Sequence, residues 1–543
     1  MRHLAVLDDT ARRAPDNRAV IDAAGPVTYR ELARAARLIA HALTRSGVRP
    51  GDRVAVTGVR DAATVATMHA VLACGAVCVP LDADWPAERV RYVLADCTVA
   101  AVAGPGARAV SELAATSVSA VPVDRTALLS EDGVAGSPAA APAPVPQWSA
   151  RADGPAYVLY TSGSTGRPKG VVVSHRAGRS FCDWAVREFD IGDRDVIAGF
   201  TTFAFDISVL DLYASVVAGA ALDLVPQHLA SFPVDLAHWI RRHRVTVWYS
   251  VPFPLARLGA AASAVADALV SLRVVLFAGE VFPPRELAAL VNATPGAVHA
   301  NLYGPTETNV CLYHRVSGPP REAVPIGVPV PGDACWVLTQ DGLVPARPGA
   351  AGELWVAGTT LADGYWGDPE ATAARFVPLA SAPGGRAYRT GDLVRVLDDG
   401  TCLYQGREDH MLKVRGVRIE TAEVEAAATG AAGVRECCAV DVPAAGGGRA
   451  VALAVAPAGI RTEEVLEACR RQLHPAAVPV RVAAFAALPR TPNGKVDRTR
   501  LRAELAGAGR TPAAGEYAAP PGTAAPGGRP PAPAPPAGRE LRR

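Results

Sequence analysis

The chain has 543 residues, 50% of them hydrophobic, and a formal net charge of +2. That length admits several domains with sizeable cores, and a charge so near balance, with no block of one sign, excludes a surface built to follow a nucleic-acid backbone. Met1 to Val20 is broken by Arg, Asp and Pro and lacks the apolar core of a signal peptide, and no stretch approaches the ~20 apolar residues of a membrane helix.

Taken in order, Thr28 to about residue 46 places apolar residues at helical spacing behind a Thr cap. Arg53–Thr57 then reads as a strand, Thr64–Ala73 as a helix and Val77–Leu81 as another strand. This is βαβ spacing, which predicts a parallel sheet with helices on its faces. Residues 135–150 are Ala/Pro-rich and read as a surface loop. Tyr157–Tyr160 and Val171–Val173 read as strands on either side of Thr161-Ser-Gly-Ser-Thr-Gly-Arg-Pro-Lys169-Gly. Alternation resumes from Ile191 to about Leu302, with strands near 220–225, 245–250 and 274–277. From Val324 to Leu403 short strands and Gly/Pro/Asp turns predict a small β subdomain. A break at Gln405–His410 precedes a final α+β piece ending near Leu505. The Ala/Pro/Gly-rich remainder cannot repay its ordering entropy and is expected to be disordered.

The ten cysteines are scattered and form no facing CxxC pairs. Cys74 and Cys78 read as core residues of one apolar, strand-like segment. Adjacent Cys437 and Cys438 could not comfortably share a tetrahedral metal. A reduced, cytosolic protein without disulfides is expected.

The stretch from Thr161 to Lys169 holds hydroxyls, glycines and one lysine, well suited to gripping polyphosphate through backbone N–H groups and a compact positive charge. It is not the P-loop, whose Gly-x4-Gly-Lys-Ser/Thr spacing is absent. Only three of the 55 basic residues are lysines: Lys169, Lys413 and Lys495, each beside Gly or in a Gly/Arg cluster. A lysine is a mobile point charge and arginine a planar fork, so in an arginine-using chain these three are the first catalytic candidates.

Further clusters are Asn301-Leu-Tyr303-Gly304-Pro-Thr306-Glu307, Tyr388-Arg-Thr-Gly-Asp392, Gly406-Arg407-Glu-Asp409, Lys413-Val-Arg-Gly-Val-Arg-Ile-Glu420 and Pro492-Asn-Gly-Lys495. With the Thr161–Lys169 loop, and with Val71–Asp82 and Gly352–Gly358 in the same order, they resemble the adenylate-forming (ANL) superfamily over roughly residues 10 to 505. The closer resemblance is to adenylation domains of nonribosomal peptide synthesis.

That resemblance implies an α/β fold. It comprises an N-terminal adenylation core over 1–405, with two parallel-sheet α/β subdomains and a small β subdomain. A hinge at 406–410 around Asp409, a mobile α+β lid at 411–505 and a disordered tail at 506–543 complete it. It implies two steps: a carboxylate attacks the α-phosphorus of ATP, and the phosphopantetheine thiol of a carrier protein then takes the acyl group. Thr161, Ser162, Gly163, Ser164, Thr165, Gly166 and Lys169 would hold the β/γ-phosphates, and Glu307 would help hold Mg²⁺. Tyr303 would stack on adenine with Asn301 near its amino group, flanked by Gly279, Glu280, Gly304 and Thr306. Asp392 and Arg407 would hold the ribose. Lys495 would serve the first step, and Lys413, brought in by lid rotation, the second.

Phe205-Asp206-Ile-Ser matches the family's substrate motif, with Asp206 where an acid pairs the α-amino group. The implied pocket is Phe205, Asp206, Ile207, Leu210, Tyr249, Leu276, Ala278, Leu302, Val310 and Cys311, plus Lys495. A small apolar amino acid fits it. The lining resembles that of prolyl adenylation enzymes of pyrrole and antibiotic biosynthesis, so L-proline is expected, with Gly, Ala and Val open. A coenzyme A ligase for a small acid, or a non-catalytic nucleotide-binding relative, are the alternatives. Three departures from the family pattern stand out: Thr421-Ala422, Asp363, and Leu473-His-Pro-Ala-Ala-Val-Pro479, which lacks the usual aromatic. With no carrier-type serine after Leu505, a stand-alone loader of a separate carrier is expected.

Overall fold

The computed structural model describes residues 6–114, 118–125, 152–163, 166–265, 267–407, 411–414, 416–444, 447–491 and 496–507. The expected loop at 135–150, the tail from 508, Asp409, Lys495, Ser164 and Thr165 lie outside them.

The Thr28 hydroxyl accepts the Glu31 N–H, and the Glu31 carboxylate accepts the Thr28 N–H at 2.8 Å. This reciprocal cap starts the helix Tyr29–Arg45 where the apolar spacing predicts it. The next helix runs Ala62–Ala73 from an Asp61 cap, two residues earlier than expected. Cys74 closes that helix rather than sitting in a strand, while Cys78 lies in the strand Val77–Pro80; both are buried. The described cysteines are all free.

Two largely parallel sheets make the core of the N-terminal part. The seven-stranded sheet carries Arg53–Val56, Val77–Pro80, Ala101–Gly104 and Ser119–Pro122 in parallel, with an antiparallel edge of Pro155–Thr161 against Lys169–Ser174. The nine-stranded sheet runs parallel through Ala221–Leu224, Val196–Gly199, Val247–Ser250, Val274–Phe277 and Val298–Tyr303. One apolar cluster joins inner faces of both sheets through the helices Tyr29–Arg45, Ala62–Ala73 and His175–Glu188. Outer helices cover each far face, Ala87–Asp96 on one and Pro233–His243, Pro252–Ala261 and Pro284–Ala293 on the other. Strands buried on both faces read as unbroken apolar runs, which is why the sequence shows them as such.

The β subdomain is a six-stranded sheet spanning Asp333 to Arg407. Its expected limits need two corrections. Val328–Pro329 belongs to the nine-stranded sheet, and Gly364–Tyr365 pairs Lys169–Ser174 of the other sheet. The expected break at Gln405 starts later, because Asp392 pairs Arg407 in register, so Gln405–Arg407 remain strand. Short strands of this kind give no periodicity that assigns them to one sheet over another. The lid holds a two-stranded ribbon, Met411–Val414 and Val417–Glu420, and a three-stranded sheet covered by Thr421–Thr429, Thr462–Gln472 and Arg498–Gly507. Among the described residues no helix is long and apolar enough to cross a membrane.

Candidate functional site

The Ser/Gly loop is the tip of a hairpin whose last paired residues are Thr161 and Lys169, so Lys169 opens a strand and is not mid-loop. Glycine is required at its bend: a Cβ on Gly163 would sit 1.9 Å from the Arg167 carbonyl oxygen. Lys169 projects its ammonium to 5.3 Å from the Tyr365 ring centroid.

Tyr303 ends a strand of the nine-stranded sheet, and its hydroxyl donates to Asp392. The Asp392 carboxylate also pairs Arg407 at 2.6 Å, and Arg407 donates to the Thr390 carbonyl at 3.0 Å. Three of the residues expected at the nucleoside therefore form one buried, hydrogen-bonded group. Asn301 donates to the Pro325 carbonyl at 2.9 Å, which fixes its amide orientation beside them.

Glu307 follows on a single helical turn, Thr306–Thr308, and is 1% exposed. Its oxygens accept from Arg418 of the lid at 3.0 and 3.1 Å and from the Tyr365 hydroxyl at 2.7 Å. Burial pushes its pKa up, but the Arg418 charge and the Tyr365 hydroxyl outweigh that and hold the carboxyl below its ordinary range. Among the described residues no three His, Cys, Asp or Glu side chains cluster as metal ligands. Glu307 alone fits a hard cation that takes its other ligands from phosphate and water.

A small cavity of about 60 Å³ lies between these groups. Phe205, Asp206, Ile207, Tyr249, Ala278 and Val310, all expected at a substrate pocket, line it. Tyr249 pairs Leu276 across adjacent strands, which secures the register of that part of the pocket. Leu210, Leu276, Leu302 and Cys311 do not line it; each is at most 1% exposed and packs behind the wall. Phe181, Pro305, Asn309 and Met411 line it and were missed: Pro305 lies within a recognised cluster but carries no polar side chain, and the other three lie outside the clusters. Asp206 accepts from Thr306, and burial pushes its pKa up against that hydrogen bond. A carboxylate so placed is best satisfied by an incoming cation.

Lys413 lines this cavity with Asp392 and Arg407. Burial lowers its pKa, and Asp392 works against that. The lid is therefore docked with the Lys413 ribbon inward. Ser162 of the hairpin donates to the Arg418 carbonyl at 2.6 Å and accepts the Glu420 N–H at 3.1 Å. The Gly416 N–H donates to Glu280, and a Cβ on Gly416 would meet Val251 at 2.0 Å, so only glycine passes here. Gly166 abuts the lid helix at Ala426, and Gly279 lies against Gly416. A contact no motif signalled completes the docking: Arg89 and Glu423, 4% and 5% exposed, pair at 2.5 Å.

A second cavity of about 370 Å³ shares Phe205, Asp206, Thr306 and Arg418 with the first and reaches Thr161, Ser162, Asp82, Asp84 and His474. Of the departures from pattern, Asp363 lies 3.9 Å from Arg386, and His474 faces this larger cavity.

Residues 7–366 match the AMP-binding enzyme family, and residues 423–495 its C-terminal domain. The chain is 39% identical over 501 residues to an L-proline–(L-prolyl-carrier protein) ligase of Streptomyces coelicolor, covering 88% of this chain and 92% of that protein. It is 35% identical over 503 residues to a ligase of the same name from Pseudomonas fluorescens, covering 91% and 97%. Among solved structures it resembles the Vibrio cholerae adenylation domain AlmE in complex with glycyl-adenosine-5′-phosphate, with TM-score 0.79 and 26% identity over 92% of this chain and 97% of that one. It also resembles the amide bond synthetase McbA of Marinactinospora thermotolerans, with TM-score 0.80 and 27% identity over 93% and 100%.

Proposed function

The chain belongs to the AMP-binding enzyme family, and from that premise we propose that it is a ligase activating a small amino acid, L-proline in the first instance, for transfer to a carrier protein. In the first step the amino-acid carboxylate attacks the α-phosphorus of ATP, forming an aminoacyl-adenylate and releasing pyrophosphate. In the second a phosphopantetheine thiol on a separate carrier attacks the acyl carbon, forming a thioester and releasing AMP.

The observation that carries this reading is the position of Asp206. It forms part of the wall of a cavity of about 60 Å³, with Thr306 as its hydrogen-bond donor. An α-ammonium group would meet the carboxylate's charge, while Phe181, Ile207, Tyr249 and Val310 leave room for a compact apolar side chain. A carboxylic acid without an amino group would offer that buried carboxylate nothing beyond the Thr306 hydrogen bond and the Lys413 charge. The two similar prolyl-carrier ligases, 39% and 35% identical, support proline within this class.

In this assignment the hairpin Thr161–Lys169 holds the β- and γ-phosphates, and Tyr303, Asn301, Asp392 and Arg407 hold the nucleoside. Glu307 holds Mg²⁺, which when bound offsets negative charge on the phosphates. Arg418 holds Glu307 in the docked lid, so it would have to release that carboxylate before Glu307 could hold a metal ion. The chain divides into a core at 1–405, a hinge at 406–410 about Asp409, a lid at 411–505 and a tail. Lid rotation exchanges Lys495 for Lys413 between steps, each amine meeting negative charge at its own stage. Pyrophosphate exchange into ATP, driven by L-proline and not by small fatty or aryl acids, tests the reading against that of a coenzyme A ligase.

A further inference from the structure

The larger cavity is a passage with two distinct ends. At the inner end Asp206 and Thr306 belong to its wall and to that of the small cavity. At the outer end the exposed side chains of Asp84 and Gln227 hydrogen bond at 2.9 Å. The lid supplies part of the wall, through Val417, Arg418, Glu423, His474, Pro475 and Ala477.

His474 stands in this outer stretch, in the field of Arg89, Asp82 and Asp84. Its Nδ1 accepts the Ala476 backbone N–H at 3.1 Å, so Nδ1 carries no proton. Burial, then the Arg89 charge, push its pKa down to about 4. The ring is thus neutral at physiological pH, with its one proton on Nε2. Among the described residues Nε2 has no hydrogen-bond partner in the protein. The backbone has fixed the tautomer and left one N–H donor on a side chain that lines the passage, whose wall also carries the donors of Arg60, Trp85, Arg89 and Gln227.

We propose that His474 is a positioning residue for the thiol substrate, donating from Nε2 to the outer amide carbonyl of its pantetheinyl arm. This rests on the carrier-loading function proposed above. The donor stands in the passage only with the lid docked as here, so it orients the thiol without touching the reacting atoms.

The test compares two soluble thiols in place of the carrier. Pantetheine has the outer amide; N-acetylcysteamine ends before it. In His474→Ala the KM for pantetheine should rise about tenfold, near the upper worth of one neutral hydrogen bond, with N-acetylcysteamine changed by less than about twofold. His474→Gln, whose side-chain amide offers a donor at similar reach, should recover most of the loss. An equal rise for both thiols, or a glutamine variant no better than alanine, would overturn the proposal and leave His474 as a cap on its turn. A wild-type protein that exchanges pyrophosphate yet loads neither thiol also overturns it. Absence of exchange with every amino acid overturns the parent function, and this proposal with it.

Discussion

Arg418 of the lid grips both oxygens of Glu307 from a single nitrogen, at 3.0 and 3.1 Å, and lays its other arm on Glu420 at 2.9 Å. The guanidinium thus supplies the cation at a buried carboxylate that the function proposed above gives to Mg²⁺ in the first step. Breaking such a pair from one side leaves an uncompensated buried charge, at a cost of about 3 to 5 kcal/mol. Arg418→Ala should therefore slow carrier loading by about a hundredfold or more, while pyrophosphate exchange stays within a few-fold. Stopped-flow loading beside an exchange assay measures both. Equal loss in the two would mean that Arg418 acts on the core itself and not on lid docking.

The lysines divide the same way. Lys495→Ala should abolish exchange, and Lys413→Ala should leave exchange largely intact and slow thioester formation. In the docked lid Lys413 lines the cavity with Asp392 and Arg407, and the proposed second step would use it there. If Lys413→Ala removed exchange as completely as Lys495→Ala, the assignment of one amine to each step would be wrong.

Asp206→Ala should raise the amino-acid KM by about a hundredfold, since a charge-assisted hydrogen bond and an ion pair are lost together. The KM for ATP should change little. An unaltered amino-acid KM would place the α-amino group elsewhere in the cavity.

Asp211, on the turn Leu210–Ala214, is 1% exposed, and among the described residues neither carboxylate oxygen has a hydrogen-bond partner. Burial pushes its pKa well above 3.8, with Arg60 opposing. A raised carboxyl pKa means the folded state keeps a proton the unfolded chain releases, so stability falls as pH rises above about 4. Asp211→Asn removes that dependence. Its stability advantage over wild type should grow as pH rises above about 4, by up to about 1.4 kcal/mol per pH unit. A pH-independent difference in Tm would contradict this.

Much of the site was legible because its chemistry is local in sequence. Tyr303 to Glu307 is a single strand-and-turn, and the Thr161–Lys169 hairpin closes on itself, so motif and geometry coincide. The apolar runs of the parallel strands carried the fold in the same way. Contacts made across the chain were not legible. Arg89 and Glu423 are 334 residues apart and look like ordinary surface charges in their own helices. Phe181 enters the pocket from a helix whose pattern marks it only as core. Leu210, Leu276, Leu302 and Cys311 were assigned to the pocket by matching motifs, which fixes a position in the chain but not the depth of its side chain behind a wall. His474 was visible only as a departure from pattern; its role emerges from the docked lid.

The most direct measurement is pyrophosphate–ATP exchange by the full chain across a panel of amino acids and small carboxylic acids. L-Proline should give the highest kcat/KM, with Gly, Ala and Val weaker and acids lacking an α-amino group near background. Exchange driven best by an amine-free acid, or by no compound on the panel, would contradict the central role given to Asp206 and the function built on it.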